Sequence, residues 1–190
     1  MRRSLSVPLI LALAALAACS KSEVPLYPDL GNHHHEITTR SAKAQQYFDQ
    51  GLRLTYGFNH AEAIRAYREA VRLDPECAMC YWGIALAYGP NINLPMDSAG
   101  GAAAYQAIQQ AVRLRDHASE AERAYIDALA RRYGPPTADR AARDSAYAAA
   151  MGDVARRYPE DADAATLYGD AMMHLRPWNY WTSDGRPQPG

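Results

Sequence analysis

From Ser41 onward the apolar residues recur at intervals of three and four, and runs of Val, Ile and Thr of strand length are missing. That period predicts helices and no strand. It places helices over 44–57 and 77–88, then over Ser119–Tyr133, Ala138–Tyr158 and Asp161–His174. Ser119 and Glu122 stand at the spacing of a capping box for the third of these. Ahead of the helices the pattern is different. Met1–Ala18 opens with Arg2 and Arg3, runs through the apolar stretch Val7–Ala17 and ends in small residues, the layout of a signal peptide too short to span a bilayer as a helix. Residues 19–40 hold Pro25, Pro28, a glycine and His33-His34-His35 with no periodicity, which predicts a disordered linker. The expected organisation is a signal peptide over 1–18, a linker over 19–40, a helical region over 41–175 and an aromatic, Pro-rich coil over 176–190.

The junction Leu16-Ala17-Ala18-Cys19 resembles the lipobox of bacterial lipoproteins. The resemblance implies that Cys19 is lipidated and becomes the N-terminus after cleavage. Ser20 follows where an inner-membrane retention signal would have aspartate, so an outer-membrane anchor facing the periplasm is expected. The chain has 190 residues and a net charge of −1, which becomes −3 once Arg2 and Arg3 leave with the signal. Such a balance, without a concentrated basic surface, argues against nucleic acid as a partner.

A search for internal repeats finds one helix-pair pattern over residues 44–77. Tyr47, Gly51 and Leu54 occupy its first helix, Ala63, Tyr67 and Ala70 its second, and Pro75 follows Asp74 at the close. Gln50 stands where the pattern has leucine. Tyr81, Ile84, Ala85 and Tyr88 continue the register, and Ala104, Ile108 and Ala111 follow seven residues late, so Gly89–Gly101 is an enlarged loop. This pattern resembles the tetratricopeptide repeat (TPR) family, closely over 44–114 and loosely over 119–174. The resemblance implies an all-α, antiparallel helix-pair solenoid in which each pair covers the apolar face of its neighbour. Gly-Asn-His-His-His, Tyr-Gly-Phe-Asn-His, Cys-Ala-Met-Cys and Gly-Pro-Asn-Ile-Asn together resemble a group of longer, largely uncharacterised bacterial TPR proteins. On that resemblance the chain is expected to be the N-terminal part of a longer lipoprotein.

Candidate chemistry falls at three places. Helices ending at Tyr56-Gly57, Tyr88-Gly89 and Tyr133-Gly134 suggest left-handed glycine caps. In a solenoid the loops after first helices share one edge, which gathers Asn59, His60, Asn91, Asn93, Trp178 and Tyr180 into a candidate ligand or partner surface. Asn59 with Glu62 also reads as a plain N-cap, and aromatics after a helix often simply cover its end. Cys77 and Cys80 lie at the opposite edge, about 20 Å away across a helix of about 13 residues. They suit a local disulfide, small packed residues, thiol exchange or half of a metal site. A disulfide requires Cys77 to lie outside the helix, because regular helical neighbours stand too far apart. His33–His35 offer imidazoles for a transition metal, although a solvated run in a flexible linker has no fixed geometry.

In the TPR family the first helices line a groove that binds partner peptides. By that resemblance Phe48 and Trp82 are candidate anchors for a partner's side chain, or else face a further helix. The functional expectation is a membrane-anchored scaffold that binds a protein or peptide partner in the cell envelope, without a cofactor. The alternatives are a metal-binding or thiol-redox protein using Cys77 and Cys80, and an enzyme whose site is completed beyond Gly190. No P-loop, nucleophile elbow or H-E-x-x-H motif supports the last.

Overall fold

The computed structural model describes residues 24–135 and 139–188. The signal-peptide segment and Cys19 lie outside the described residues. Among the described residues seven α-helices follow one another: α1 Ala42–Tyr56, α2 His60–Leu73, α3 Ala78–Tyr88, α4 Ser98–Arg113, α5 Glu120–Ala130, α6 Arg140–Arg157 and α7 Ala162–Leu175. A 3-10 turn, Arg115–His117, lies between α4 and α5. Among the described residues there is no named strand, so the all-α expectation holds, and no helix is long and apolar enough to cross a membrane.

Local chemistry sets the helix starts. Side chains of Ser41, Asp97, Asp139 and Asp161 accept backbone N–H groups of the first turns of α1, α4, α6 and α7. Ser119 and Glu122 form the expected reciprocal capping box at α5, satisfying two donors that a helix start leaves unpaired. The glycine caps come out otherwise. Gly57 has φ −81° and Gly89 φ −67°, and the left-handed residue after α1 is Phe58, at φ 59°. At Gly89 the need is space: a Cβ there would lie 2.3 Å from the Tyr133 hydroxyl, which donates to the Ala85 carbonyl at 2.8 Å. Tyr133 itself stands beyond the end of α5.

Helices adjacent in sequence pack on each other throughout, and α3 also touches α1 and α5. The centre of the core is α3. Nine of its eleven residues are buried, so it has apolar neighbours all round and no solvent stripe, as a central helix should. Tyr67 of α2 is fully buried and clasped between Gly51 of α1 and Gly83 of α3. A Cβ at those glycines would come within 2.6 and 2.3 Å of its ring. Burying a ring of this size contributes roughly 1.5–3 kcal/mol, and the close approach of the three helices depends on the two glycines.

Candidate functional site

Two groups of residues stand apart from the packing. The first lies where residues 24–40 cross α1, α5 and α7. Residues 24–40 of the expected linker are held by side chains far along the chain. Gln50, at the position where the repeat pattern has leucine, accepts Tyr27 N–H and donates to the Pro25 carbonyl, both at 2.8 Å. Tyr47 donates to the Val24 carbonyl. Gln45 accepts Ile37 N–H and donates to the His35 carbonyl. Glu122, already part of the capping box, accepts Thr38 N–H and Oγ1–H, both at 2.6 Å. Asp74 accepts Thr39 Oγ1–H at 2.6 Å and Arg40 N–H at 2.8 Å. Composition within the segment carries no trace of these partners, which give several of its backbone polar groups a hydrogen bond in place of secondary structure.

The three histidines alternate as an extended chain requires. His34 Nδ1 meets Asp49 Oδ2 at 2.8 Å. On the other side His33 Nε2 and His35 Nδ1 reach the two oxygens of Asp163, at 2.9 and 2.7 Å. Tyr56 also donates to Asp163 Oδ1, at 2.7 Å, and Tyr125 donates to Asp161 at 2.7 Å. Burial opposes a charge on His35, yet the hydrogen bond and charge of Asp163 outweigh it and raise the His35 pKa. Burial likewise disfavours the Asp163 carboxylate, but hydrogen bonds from His35 and Tyr56 hold its pKa below the usual range. The solvated-run expectation for these histidines is therefore corrected.

Phe48 and Trp82, the candidate groove anchors, sit beneath this segment. They are 0% and 2% exposed. His35 stands 6.2 Å from the Phe48 ring and 5.6 Å from Tyr125, and Trp82 packs edge-on to Tyr125 at 5.6 Å. Their faces are covered by the chain's own residues, so no partner reaches them in this arrangement.

The second group lies at the loop edge. His60 and Asn91 share a cavity of about 220 Å³ with Phe58, Leu86, Arg132 and Asp170 among its lining residues. Arg132 is 1% exposed. Its guanidinium lies over the Tyr147 ring at 4.7 Å and its Nε reaches Asp144 at 3.3 Å. Its Nη2 and both ring nitrogens of His60 are buried without a hydrogen-bond partner among the described residues. Burial lowers the His60 pKa, against the opposing charge of Asp170, so this imidazole favours its neutral form. Buried polar atoms without partners are costly and uncommon, and here the two residues that carry them line one cavity.

The other edge residues are only partly joined to it. Trp178 is 71% exposed, has φ 61° and donates from Nε1 to the Ile92 carbonyl at 3.1 Å, which ties the coil after α7 to the 89–97 loop. The Asn91 side chain accepts Asn93 N–H and Leu94 N–H, at 2.9 and 3.0 Å, shaping that loop. Asn93 is exposed. Asn59 is exposed at the N-cap of α2 and makes no side-chain cap bond. The Tyr180 hydroxyl points back to the Met173 carbonyl at 3.4 Å.

Cys77 and Cys80 form a disulfide with a Cα–Cα distance of 5.4 Å. Cys77 is the N-cap of α3 in extended conformation, and its sulfur accepts Cys80 N–H at 3.1 Å. Both cysteines are buried, so in this state the pair offers no thiolate to a metal or to exchange. Sequence reading missed Asp49, Asp161, Asp163 and Arg132. The substitution of Gln50 for leucine was the one visible signal that something polar crosses α1. In comparison with known proteins, no family model, no curated protein and no solved structure matches the chain.

Proposed function

We propose that this chain is a TPR-type solenoid of antiparallel helix pairs, tethered by Cys19 to a bacterial envelope membrane, and that it binds a protein partner through its loop edge. The Leu16-Ala17-Ala18-Cys19 junction supports the tether. The repeat pattern over 44–114 and the packing of each helix on the next support the solenoid. The observation that carries the binding surface is the edge cavity, which His60 and Arg132 both line and beside which both keep buried polar atoms without a partner among the described residues. At about 220 Å³ the cavity is below the ~300–1,000 Å³ typical of sites for whole small-molecule ligands, and its size suits one side chain of a partner. Leu86, Leu167 and Phe58 would hold the apolar body of that side chain, and Arg132 Nη2 with the His60 imidazole would meet an oxygen at its tip. The inner face is a poorer choice, since residues 24–40 already cover Phe48 and Trp82.

The reading is tested by affinity capture from envelope extract of the source bacterium, with wild-type protein, Thr166→Trp and Gln50→Leu. Thr166 lines the cavity from an exposed position, so tryptophan there closes the mouth without entering the core. The expected result is one stoichiometric protein captured by wild type and Gln50→Leu and lost with Thr166→Trp. Capture that survives Thr166→Trp, or that fails with wild type, overturns the edge as the binding surface.

A further inference from the structure

We propose that His33, His35, Asp161 and Asp163 form a site for one divalent transition-metal ion of the zinc class, which pins residues 24–40 to the start of α7. The inference stands apart from the edge cavity. His35, Asp161 and Asp163 each present a ligand atom within 4.8 Å of the others, and His33 Nε2 is 2.9 Å from Asp163 Oδ1. The four residues come from two elements that are 130 positions apart in sequence at His33 and Asp163. They meet because alternate residues of the extended segment face the same way, which brings two imidazoles to a single carboxylate while His34 turns to Asp49.

The donor chemistry fits. Zinc takes imidazole nitrogen and carboxylate oxygen at ~2.0–2.2 Å, four in a tetrahedron, which separates neighbouring ligand atoms by roughly 3.3 Å. The His35 contact to Asp163 Oδ2, at 2.7 Å, would open by roughly half an ångström to reach that spacing, and His33, now 2.9 Å from the other Asp163 oxygen, would turn toward the ion as the fourth ligand. Two carboxylates match the charge of the cation, and two histidines with two aspartates favour zinc-class ions over the all-oxygen shells of calcium and magnesium. To bind the ion each imidazole presents a lone pair where it now shares a proton with Asp163. That proton is released, or moves to the other ring nitrogen.

A supporting shell is also in place. Tyr56 donates to Asp163, and Tyr125 donates to Asp161 Oδ2. The backbone N–H groups of Asp163 and Ala164 donate to Asp161 Oδ1 at 3.0 and 3.1 Å. These bonds fix the carboxylates from behind, the role that outer partners play at metal centres. The Asp163 side chain is 8% exposed and His35 16%, while His33 at 42% leaves a side open for an ion to enter.

The experiment titrates zinc chloride into the purified, chelator-treated full chain by calorimetry, and repeats the titration with cobalt(II) followed by visible absorption. Wild type is expected to take one equivalent, with a tetrahedral cobalt spectrum. His35→Gln and Asp163→Asn should each weaken binding by about 100-fold or more, beyond the ~10–100-fold typical of outer-shell losses. His34→Gln should stay within about threefold, since it changes a residue on the opposite side of the segment. Far-UV circular dichroism of each variant checks that it folds, and His33→Gln, an exposed change, provides a second ligand variant. Three outcomes overturn the site: no uptake by wild type, equal loss with His34→Gln, which marks the histidine run acting as a flexible chelator, or full affinity in Asp163→Asn.

Discussion

Replacing Gly83 by alanine puts the packing of α1, α2 and α3 to a direct test. The new Cβ would lie 2.3, 2.5 and 2.7 Å from three ring atoms of Tyr67. These approaches are too short for real carbon atoms, so the ring or a helix must move. The ring has nowhere to go. Tyr67 is fully buried, faces Phe48 at 5.6 Å, and has its hydroxyl 3.3 Å from Thr55 Oγ1. Overpacking of this kind costs about 1–3 kcal/mol, and the better helix propensity of alanine returns about 1 kcal/mol. Three approaches below 3 Å place this site at the upper end of the overpacking range, about 2–3 kcal/mol, so Gly83→Ala should destabilise by about 1–2 kcal/mol net, read as a lower midpoint in urea unfolding followed by far-UV circular dichroism. For a chain of this size that corresponds to roughly 2–4 °C of Tm for each kcal/mol. Gly169 in α7 is the matched control, because nothing lies within 4 Å of a Cβ there. Gly169→Ala should raise stability by up to about 1 kcal/mol. If Gly83→Ala were as stable as wild type, or if both substitutions stabilised, the clasp on Tyr67 would be refuted. Tyr67→Leu combined with Gly83→Ala should cost less than the sum of the two single changes, since the clash disappears with the ring.

The remaining predictions concern the polar anchors. Reducing the Cys77–Cys80 disulfide, which spans three positions, should lower stability by about 2 kcal/mol or less on a loop-entropy estimate, and thermal melts with and without reductant at unchanged helix content check this. Wholesale unfolding on reduction would contradict its local role. Asp74→Asn removes a buried charged acceptor for Thr39 and Arg40 and should cost about 1.5–3 kcal/mol, with faster hydrogen exchange at the Arg40 amide. Burial works against the Asp74 carboxylate, yet those bonds hold its pKa below the ordinary 3.8. Its contribution is thus present above pH 3.8 and lost as pH falls through the lowered value. His60 has a folded pKa below its ordinary 6.5. Folding therefore favours the neutral ring, a contribution present above pH 6.5 and lost as pH falls through the folded value. Wild type should lose stability between pH 7 and pH 5 more steeply than His60→Gln, measured by urea unfolding at each pH.

How far the fold was legible depends on the range of the forces involved. The helix starts at Ser119 and Asp161, the stop at Pro75 and the enlarged loop after Gly89 all follow from residues within a turn or two of each boundary. Periodicity fixes which face is apolar over the same short range. Periodicity begins α3 at residue 77, and Cys77 instead stands just outside it as its N-cap, the placement that a disulfide to Cys80 requires. At the edge, His60 and Asn91 line one cavity, while Asn59, Asn93 and Tyr180 do not line it.

The sequence by itself thus determined the all-helical composition, the order of the helices and most of their ends, because helix formation is governed by hydrogen bonds and caps a few residues apart. Tertiary structure alone decided what residues 24–40 do, where Arg132 sits and which carboxylates meet the histidines. Thr38 finds Glu122 across 84 positions and His33 finds Asp163 across 130. A segment without periodicity shows no local sign of such partners, and its order comes from hydrogen bonds that exist only once the helices have packed.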